Sequence, residues 1–305
     1  FIHGVFDEAP IVFTELANAP DWLPISIYLN NERFTLAEGS VESYQRRLDI
    51  HNGLISRNIR WRSPSGLVAE IVFERFTSLA NEHLACIRCQ VTAKFEGTVE
   101  FRAGLNGNTD NEGLAHWKWL GQGVDDGVIY LHNRTRKSGI EIATAMHVQS
   151  TSEYESSRAV WDVENSPTVQ LCFNVKAGET VGITKNVAIY TSRDISPDAI
   201  KQSAVDLLKK NISWDEALSA STDAWQKEWE RTDVIIEGDD EAQISVRFNL
   251  FQMLIAAPRH DERVNIGAKT LSGFGYRGHA FWDTEIFMLP LFIYTAPHIA
   301  KNLLN

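Results

Sequence analysis

The hydrophobic period of this chain changes at one place, and that change limits the fold more than any other feature. From residue 1 to about 195, apolar residues come in short runs rich in Val, Ile, Phe and Tyr, punctuated by turn-forming residues. Runs of this kind are strands. They include Ile25 to Tyr28, Arg33 to Leu36, Leu67 to Phe76, His83 to Thr92, Thr98 to Ala103, Val128 to Asn133, Ile140 to Gln149, Arg158 to Asp162, Val169 to Val175 and Gly182 to Thr191. Asn30-Asn31, Asn52-Gly53 and Ser63-Pro64-Ser65-Gly66 mark turns between them. Asn52-Gly53 is the strongest hairpin signal, because both residues tolerate positive φ. About a dozen strands exceed one comfortable open sheet, so two packed sheets are expected.

From Ser196 the period becomes helical. Ser196-Pro197 starts a first helix, with the hydroxyl as cap and proline where its missing N–H does no harm. Lys209-Lys210-Asn211 fits its end. Ser213 and Glu216 form a capping box for a second helix, whose stripe Leu218, Thr222, Trp225 and Trp229 reads as packing. Asp239-Asp240 opens a third, with Ile244, Phe248, Phe251 and Leu254 apolar, and Pro258 closes it. Three segments follow: strands over 1–195, a helical linker over 196–232, and a helical segment over 233–305.

Composition excludes several functions. The net charge of -11 argues against nucleic acid or an anionic membrane as partner. No apolar run is long enough to span a bilayer. Three cysteines, an odd and small number, argue for a reducing compartment, here the cytoplasm. Cys86 and Cys89 form a C-x-x-C within a strand-like run, so they face opposite sides and read as buried structural thiols rather than redox or zinc chemistry. No metal site is expected. Nothing in the composition argues against a homodimer.

The stretch Gly273-Phe274-Gly275-Tyr276-Arg277-Gly278-His279-Ala280-Phe281-Trp282-Asp283-Thr284-Glu285 carries the chemistry. Its glycines make a loop, and an apolar run from Phe281 through Ile286 and Leu289 makes a helix, ended or kinked by Pro290. Pro297 can open the next one. A Trp offers a flat apolar face and one donor, and an ionised Asp accepts from two hydroxyls at once; side by side they suit a sugar ring. On periodicity alone, Asp283 and Glu285 equally suit a helix first turn, with Trp282 in the core. A second polar stretch, Leu105 to Asn111 followed by His116-Trp117-Lys118-Trp119, is either a loop reaching toward a sugar site or a surface loop anchored by its own indoles. Arg46-Arg47 with Arg57, Arg60 and Arg62 reads as a solvated strand face.

The run GYRGHAFWDTEIFMLP resembles the signature of glycoside hydrolase family 65, the inverting phosphorylases of α-linked glucose disaccharides and their trehalase relatives. FIHGVFD, RLDIHNGLISRNIRW, ERFTSLANEHLACIRCQV and DVIIEGDDEAQISVRFNLF resemble other parts of the family. The resemblance implies an antiparallel β-sandwich (a supersandwich, galactose mutarotase-like), a helical linker, and the first helices of an (α/α)6 toroid. It implies a glucose subsite at Trp282 and Asp283. The residue types themselves add Tyr276, Arg277, His279, Glu285, Trp117 and Trp119 as second-tier candidates. The substrates implied are an α-linked glucose disaccharide of maltose, trehalose or kojibiose type and inorganic phosphate, with no organic cofactor. The family's general acid Glu and phosphate-binding residues are expected beyond Asn305, so no catalytic residue is assigned. The chain opens without an initiator Met and closes inside a helical pattern. It therefore reads as a piece of a longer enzyme, cut at both ends and inactive alone. Two other readings stay open: an acid-trehalase-like inverting hydrolase, and a non-catalytic carbohydrate-binding sandwich.

Overall fold

The computed structural model describes residues 1–11, 13–273 and 275–304; Phe274 of the expected glycine loop and the terminal Asn305 lie outside them. Fifteen strands occur among the described residues: β1 (Phe6–Ala9), β2 (Phe13–Leu16), β3 (Ile25–Leu29), β4 (Glu32–Arg33), β5 (Ser40–Asp49), β6 (Leu54–Arg62), β7 (Val68–Thr77), β8 (Leu84–Ala93), β9 (Gly97–Gly104), β10 (Trp117–Asp125), β11 (Val128–Thr135), β12 (Glu141–Ser150), β13 (Ser156–Val160), β14 (Thr168–Val175) and β15 (Thr180–Thr191). They form an eight-stranded sheet in the order β10-β11-β12-β15-β8-β7-β6-β5, a five-stranded sheet in the order β13-β14-β9-β3-β4, and the hairpin β1-β2. Each pairing is antiparallel, as the alternating pattern requires.

The two large sheets face each other as a sandwich. Ile27, Val99, Phe101 and Phe173 of the smaller sheet meet Ile59, Trp61, Ile71, Cys89 and Ile183 of the larger, all buried. The opposite face of the larger sheet holds Phe76, Leu84, Cys86, Ala143 and Ala188, which pack on the first two helices. The β8 alternation thus sends Cys89 into the sandwich and Cys86 toward the helices. Both thiols are pushed up by burial, Cys86 to about 12, which leaves them unreactive.

The helices are α1 (Pro197–Lys209), α2 (Trp214–Thr232), α3 (Asp240–Ala256), α4 (Leu289–Thr295) and α5 (Pro297–Leu304). The capping box of α2 is complete: the Ser213 hydroxyl accepts from the Glu216 N–H, and the Glu216 carboxylate accepts from the Ser213 N–H at 2.9 Å. Asp239 caps α3 through the Ala242 N–H at 2.9 Å. Ser196 precedes α1 as expected, yet its hydroxyl makes no cap bond. Asn211 takes φ 51° just past the end of α1, the left-handed conformation expected there. Trp225 and Trp229 are buried, stack on each other with ring centroids 6.1 Å apart, and belong to the helical core with Phe251, Leu254 and Phe292. The Trp229 indole N–H donates to the His51 carbonyl at 3.0 Å, fixing α2 to the β5–β6 turn.

Two elements depart from the expectations. The Asn52-Gly53 hairpin has a four-residue loop, 50–53, in which Gly53 is left-handed and Asn52 is not. The Asp49 carboxylate organises it, accepting from the N–H of His51 and of Asn52. The helix after the signature loop begins as a π-turn over Thr284–Met288, in which the Leu289 N–H reaches back to the Thr284 carbonyl. Proline has no N–H and its ring crowds the carbonyl four residues back. Pro290 therefore leaves the Ile286 carbonyl without its donor. The widened turn absorbs this, and Pro290 sits in the first turn of α4 instead of ending a helix.

Candidate functional site

The glycine loop is built around its backbone. Tyr276 and Arg277 lie in the left-handed region at φ 54° and 57°, and Gly278 follows at φ 78°. Gly278 is required twice over. A Cβ there would lie 2.5 Å from the Cβ of Leu16, so the loop presses on β2 only because residue 278 has no side chain. The next residue strengthens the contact: the His279 Nε2–H donates to the Thr14 carbonyl at 2.8 Å, and the imidazole lies against Phe6 with centroids 5.2 Å apart. The Ala268 N–H donates to the His279 carbonyl at 3.1 Å, and the Thr284 hydroxyl to the Ile266 carbonyl at 2.8 Å, which closes the loop from behind.

Arg277 makes the deepest attachment. Its Nη1 donates to Glu15 Oε2 at 2.8 Å, and the Glu112 carboxylate stands 3.8 Å away. Glu15 is 1 % exposed and does not stand alone. Its Oε1 accepts from His116 Nε2 at 2.8 Å and from Asn111 Nδ2 at 3.1 Å. His116 Nδ1 faces Asp7 Oδ2 at 3.1 Å, and the other Asp7 oxygen accepts the N–H groups of Lys137 and Ser138 at 3.0 and 2.8 Å. Both ring nitrogens of His116 thus face buried carboxylate oxygens, one from each strand of the N-terminal hairpin. Burial alone would raise the Asp7 carboxyl, but donation from Ser138, His116 and Lys137 outweighs it and holds Asp7 below the usual carboxylate range.

Trp282 and Asp283 stand immediately after this anchored loop. Trp282 is 71 % exposed, Asp283 is half-buried and Glu285 is exposed. The indole is therefore presented to solvent and not packed in the core. Tyr276 is exposed and meets the Phe281 ring edge-on at 5.4 Å. Arg277 and His279 are engaged with β2 and hold the loop. Beneath the loop lies a cavity of about 220 Å³ whose lining includes His3, Phe6, Arg193, Arg263, Asn265 and His279.

The second polar stretch divides. Trp117 is 5 % exposed, its indole N–H donates to the Asn18 carbonyl at 2.6 Å, and it packs with Val5, Ala17 and Ile142. Trp119 is partly exposed, beside an open depression shared with Asn108, Arg136 and Asn165. Both lie on β10, an edge strand and not the loop expected from the sequence. The 105–116 segment does reach the signature loop, through Asn111 and His116 acting on Glu15. Sequence reasoning did not single out Asp7 or Glu15. The available signal is Asp7 and Glu8 between Phe6 and Ala9, and Glu15 between Phe13 and Leu16, carboxylates set within short strand-like runs. Among the described residues, no group of His, Cys, Asp and Glu is arranged to hold a metal ion, and no helix is long and apolar enough to cross a membrane.

The family model described as "Glycosyl hydrolase family 65, N-terminal domain" matches residues 1–228, and that of the "Glycosyl hydrolase family 65 central catalytic domain" matches residues 247–305. A kojibiose phosphorylase of Halothermothrix orenii is 36 % identical over 100 % of this chain and 41 % of its own length. An α,α-trehalose phosphorylase of Thermoanaerobacter brockii is 30 % identical over 99 % of this chain and 42 % of its own. The chain thus spans about two fifths of the length of the curated relatives it matches. A solved structure of a candidate kojibiose phosphorylase from the human microbiome superposes with a TM-score of 0.89 at 21 % identity, over 99 % of this chain and 42 % of that one, and shows the same fold. The sandwich, the helices that follow it and the loop that joins them are those of glycosyl hydrolase family 65, to which this chain belongs.

Proposed function

We propose that this chain supplies the glucose grip of an inverting phosphorylase acting on an α-linked glucose disaccharide. The observation that carries this reading is the pairing of an exposed indole at Trp282 with the Asp283 carboxylate, on a loop whose backbone is fixed to the sandwich. An indole face shields the apolar face of a pyranose ring, and a carboxylate accepts from two adjacent hydroxyls. Relatives named for kojibiose and trehalose phosphorolysis support the reaction class.

In this reaction a phosphate oxygen attacks the anomeric carbon from the face opposite the departing sugar. The glycosidic C–O bond breaks and a carboxylic acid protonates the leaving oxygen, which gives β-glucose 1-phosphate with inversion. Neither the acid nor the phosphate-binding groups are assigned to a residue of this chain. Trp282 and Asp283 hold the ring as positive charge develops at the anomeric carbon, which lowers the barrier by position and by charge. Inorganic phosphate is the co-substrate, no organic cofactor takes part, and three free cysteines fit a cytoplasmic location.

Asp283→Ala in the enzyme that carries this chain tests the reading. A carboxylate that grips glucose in the transition state is worth at least ~100-fold in kcat/KM, about 2.7 kcal/mol. Near-normal kinetics would leave Asp283 with a helix-dipole role only. Glucose 1-phosphate as product identifies a phosphorylase, and release of free glucose in the absence of phosphate identifies a hydrolase.

A further inference from the structure

The larger sheet treats its arginines differently on its two faces. On the face toward the helices, Arg60 pairs with Glu42 and Glu70, Arg62 with Glu42, and Arg88 with Glu74. On the face that turns into the sandwich, Arg46, Arg57 and Arg75 share one patch. Arg46 is directly opposite Arg57 across β5 and β6, Arg57 is opposite Phe73 on β7, and Arg75 lies two residues beyond Phe73. Among the described residues none of these three makes an ion pair. The Arg57 guanidinium rests over the Phe73 ring at 4.5 Å.

Like charges directly opposed across a sheet are destabilising. Here three cations converge, in a chain of net charge -11, and among the described residues no carboxylate lines the cavity they share. Arg75 shows the strain of it: burial, then the charges of Arg46 and Arg57, pull its guanidinium below the usual arginine range, and Asp21 offsets part of this without pairing. The patch is concave. It lines a cavity of about 210 Å³, walled by Leu23, Ile25, Ile55 and Ile87 and rimmed by the three arginines and Tyr44.

We propose that this groove is a binding site for the phosphoryl group of inorganic phosphate or of a small phosphate monoester. Guanidinium forks from three strands match the oxygens of a phosphoryl dianion, and their mutual repulsion is relieved when it binds. The cavity is below the size of a drug-sized pocket and suits a phosphate or a sugar phosphate. None of its lining residues belongs to the signature loop, so the site is separate from the proposed glucose grip.

The test is calorimetric titration and thermal melting of the full-length protein with inorganic phosphate and, in a parallel arm, glucose 6-phosphate, with potassium chloride at matched ionic strength as control. Asp283→Ala is used as background, which separates this site from turnover. Saturable binding that falls at least about tenfold in both Arg57→Gln and Arg46→Gln supports the site. So does a higher Tm for Arg57→Gln than for wild type in phosphate-free buffer, with the phosphate-dependent rise in Tm lost. The arm that binds more tightly identifies the free anion or the ester as the natural occupant. No saturable binding beyond the chloride control overturns the proposal, as does binding unchanged by both substitutions. Loss of self-association in Arg46→Gln, without phosphate binding in wild type, also overturns it and makes the groove an interface for carboxylates of a second copy.

Discussion

Arg277 and Glu15, 262 residues apart in sequence, meet at 2.8 Å, and through that contact the loop before Trp282 is tied to the N-terminal hairpin of the sandwich. The carboxylate is almost wholly buried while the guanidinium is 38 % exposed. Such a pair is weak evidence for stability, since taking both ions from water costs much of what their attraction returns. Its value is positional. It fixes a loop that holds two residues in the left-handed region, and His116 and Asn111 fix Glu15 in turn.

Glu15→Gln keeps the size of the side chain and an acceptor for Asn111, and removes the charge that faces Arg277 and His116. Stability should fall by about 1–3 kcal/mol, because Arg277 and His116 lose a charged acceptor. If the pair positions the glucose grip, kcat/KM should fall ~10-fold through KM more than kcat, since 1.4 kcal/mol of misplacement is a factor of ten. Steady-state kinetics well below the melting temperature check this. Wild-type kinetics in a destabilised Glu15→Gln would show that the pair serves folding alone.

Gly278→Ala addresses the same loop through its backbone. A Cβ at φ 78° is strained wherever it points, and here it meets Leu16 at 2.5 Å. The expected cost is about 1–3 kcal/mol, with a loss of kcat/KM. Gly275→Ala is the control. There the nearest atom to a new Cβ is Lys269 Cγ at 2.9 Å, on a flexible side chain, so the change should cost under about 1 kcal/mol. Equal melting temperatures for the two variants would remove the Leu16 contact from the account.

Local chemistry was legible in the sequence and long-range chemistry was not. The capping box at Ser213 and Glu216, the proline start at 197 and the Asn30-Asn31 turn each involve neighbours, and each appears as read, with Asn30 and Asn31 at φ 46° and 70°. Strand β10 was missed although Asp126-Gly127, at φ 50° and 79°, is the hairpin signal that joins it to β11. Its glycines at 121 and 123 and a register shift after Trp119 obscure the alternation. The β1–β2 hairpin was missed because no Gly or Asn marks its turn. The exposure of Trp282 could not be read from a pattern that suited a core residue equally well. Asp7, Glu15 and His116 lie about a hundred residues apart or more from their partners, and only the fold brings them together.

Lys185 offers a prediction about pH. It is wholly buried on β15, and its Nζ donates to the carbonyls of Trp22 at 2.7 Å, Gly104 at 2.5 Å and Pro24 at 3.3 Å, tying the segment before β3 and the end of β9 to the larger sheet. Burial pulls its ammonium down to about 7 from 10.5, with Asp21 opposing. A base whose folded value is depressed binds fewer protons folded than unfolded between those two values. Stability should therefore rise with pH over about 7 to 10.5, and by pH 9 the gain approaches about 2–3 kcal/mol. Lys185→Met removes the titration together with three hydrogen bonds. It should be less stable than wild type at pH 9, with a stability curve about that much flatter between pH 7 and 9. Urea denaturation at both pH values checks the difference in slope. Parallel curves for the two proteins would mean that the three carbonyls keep Lys185 charged throughout, and that its place in the sandwich is that of a permanent cation solvated by backbone.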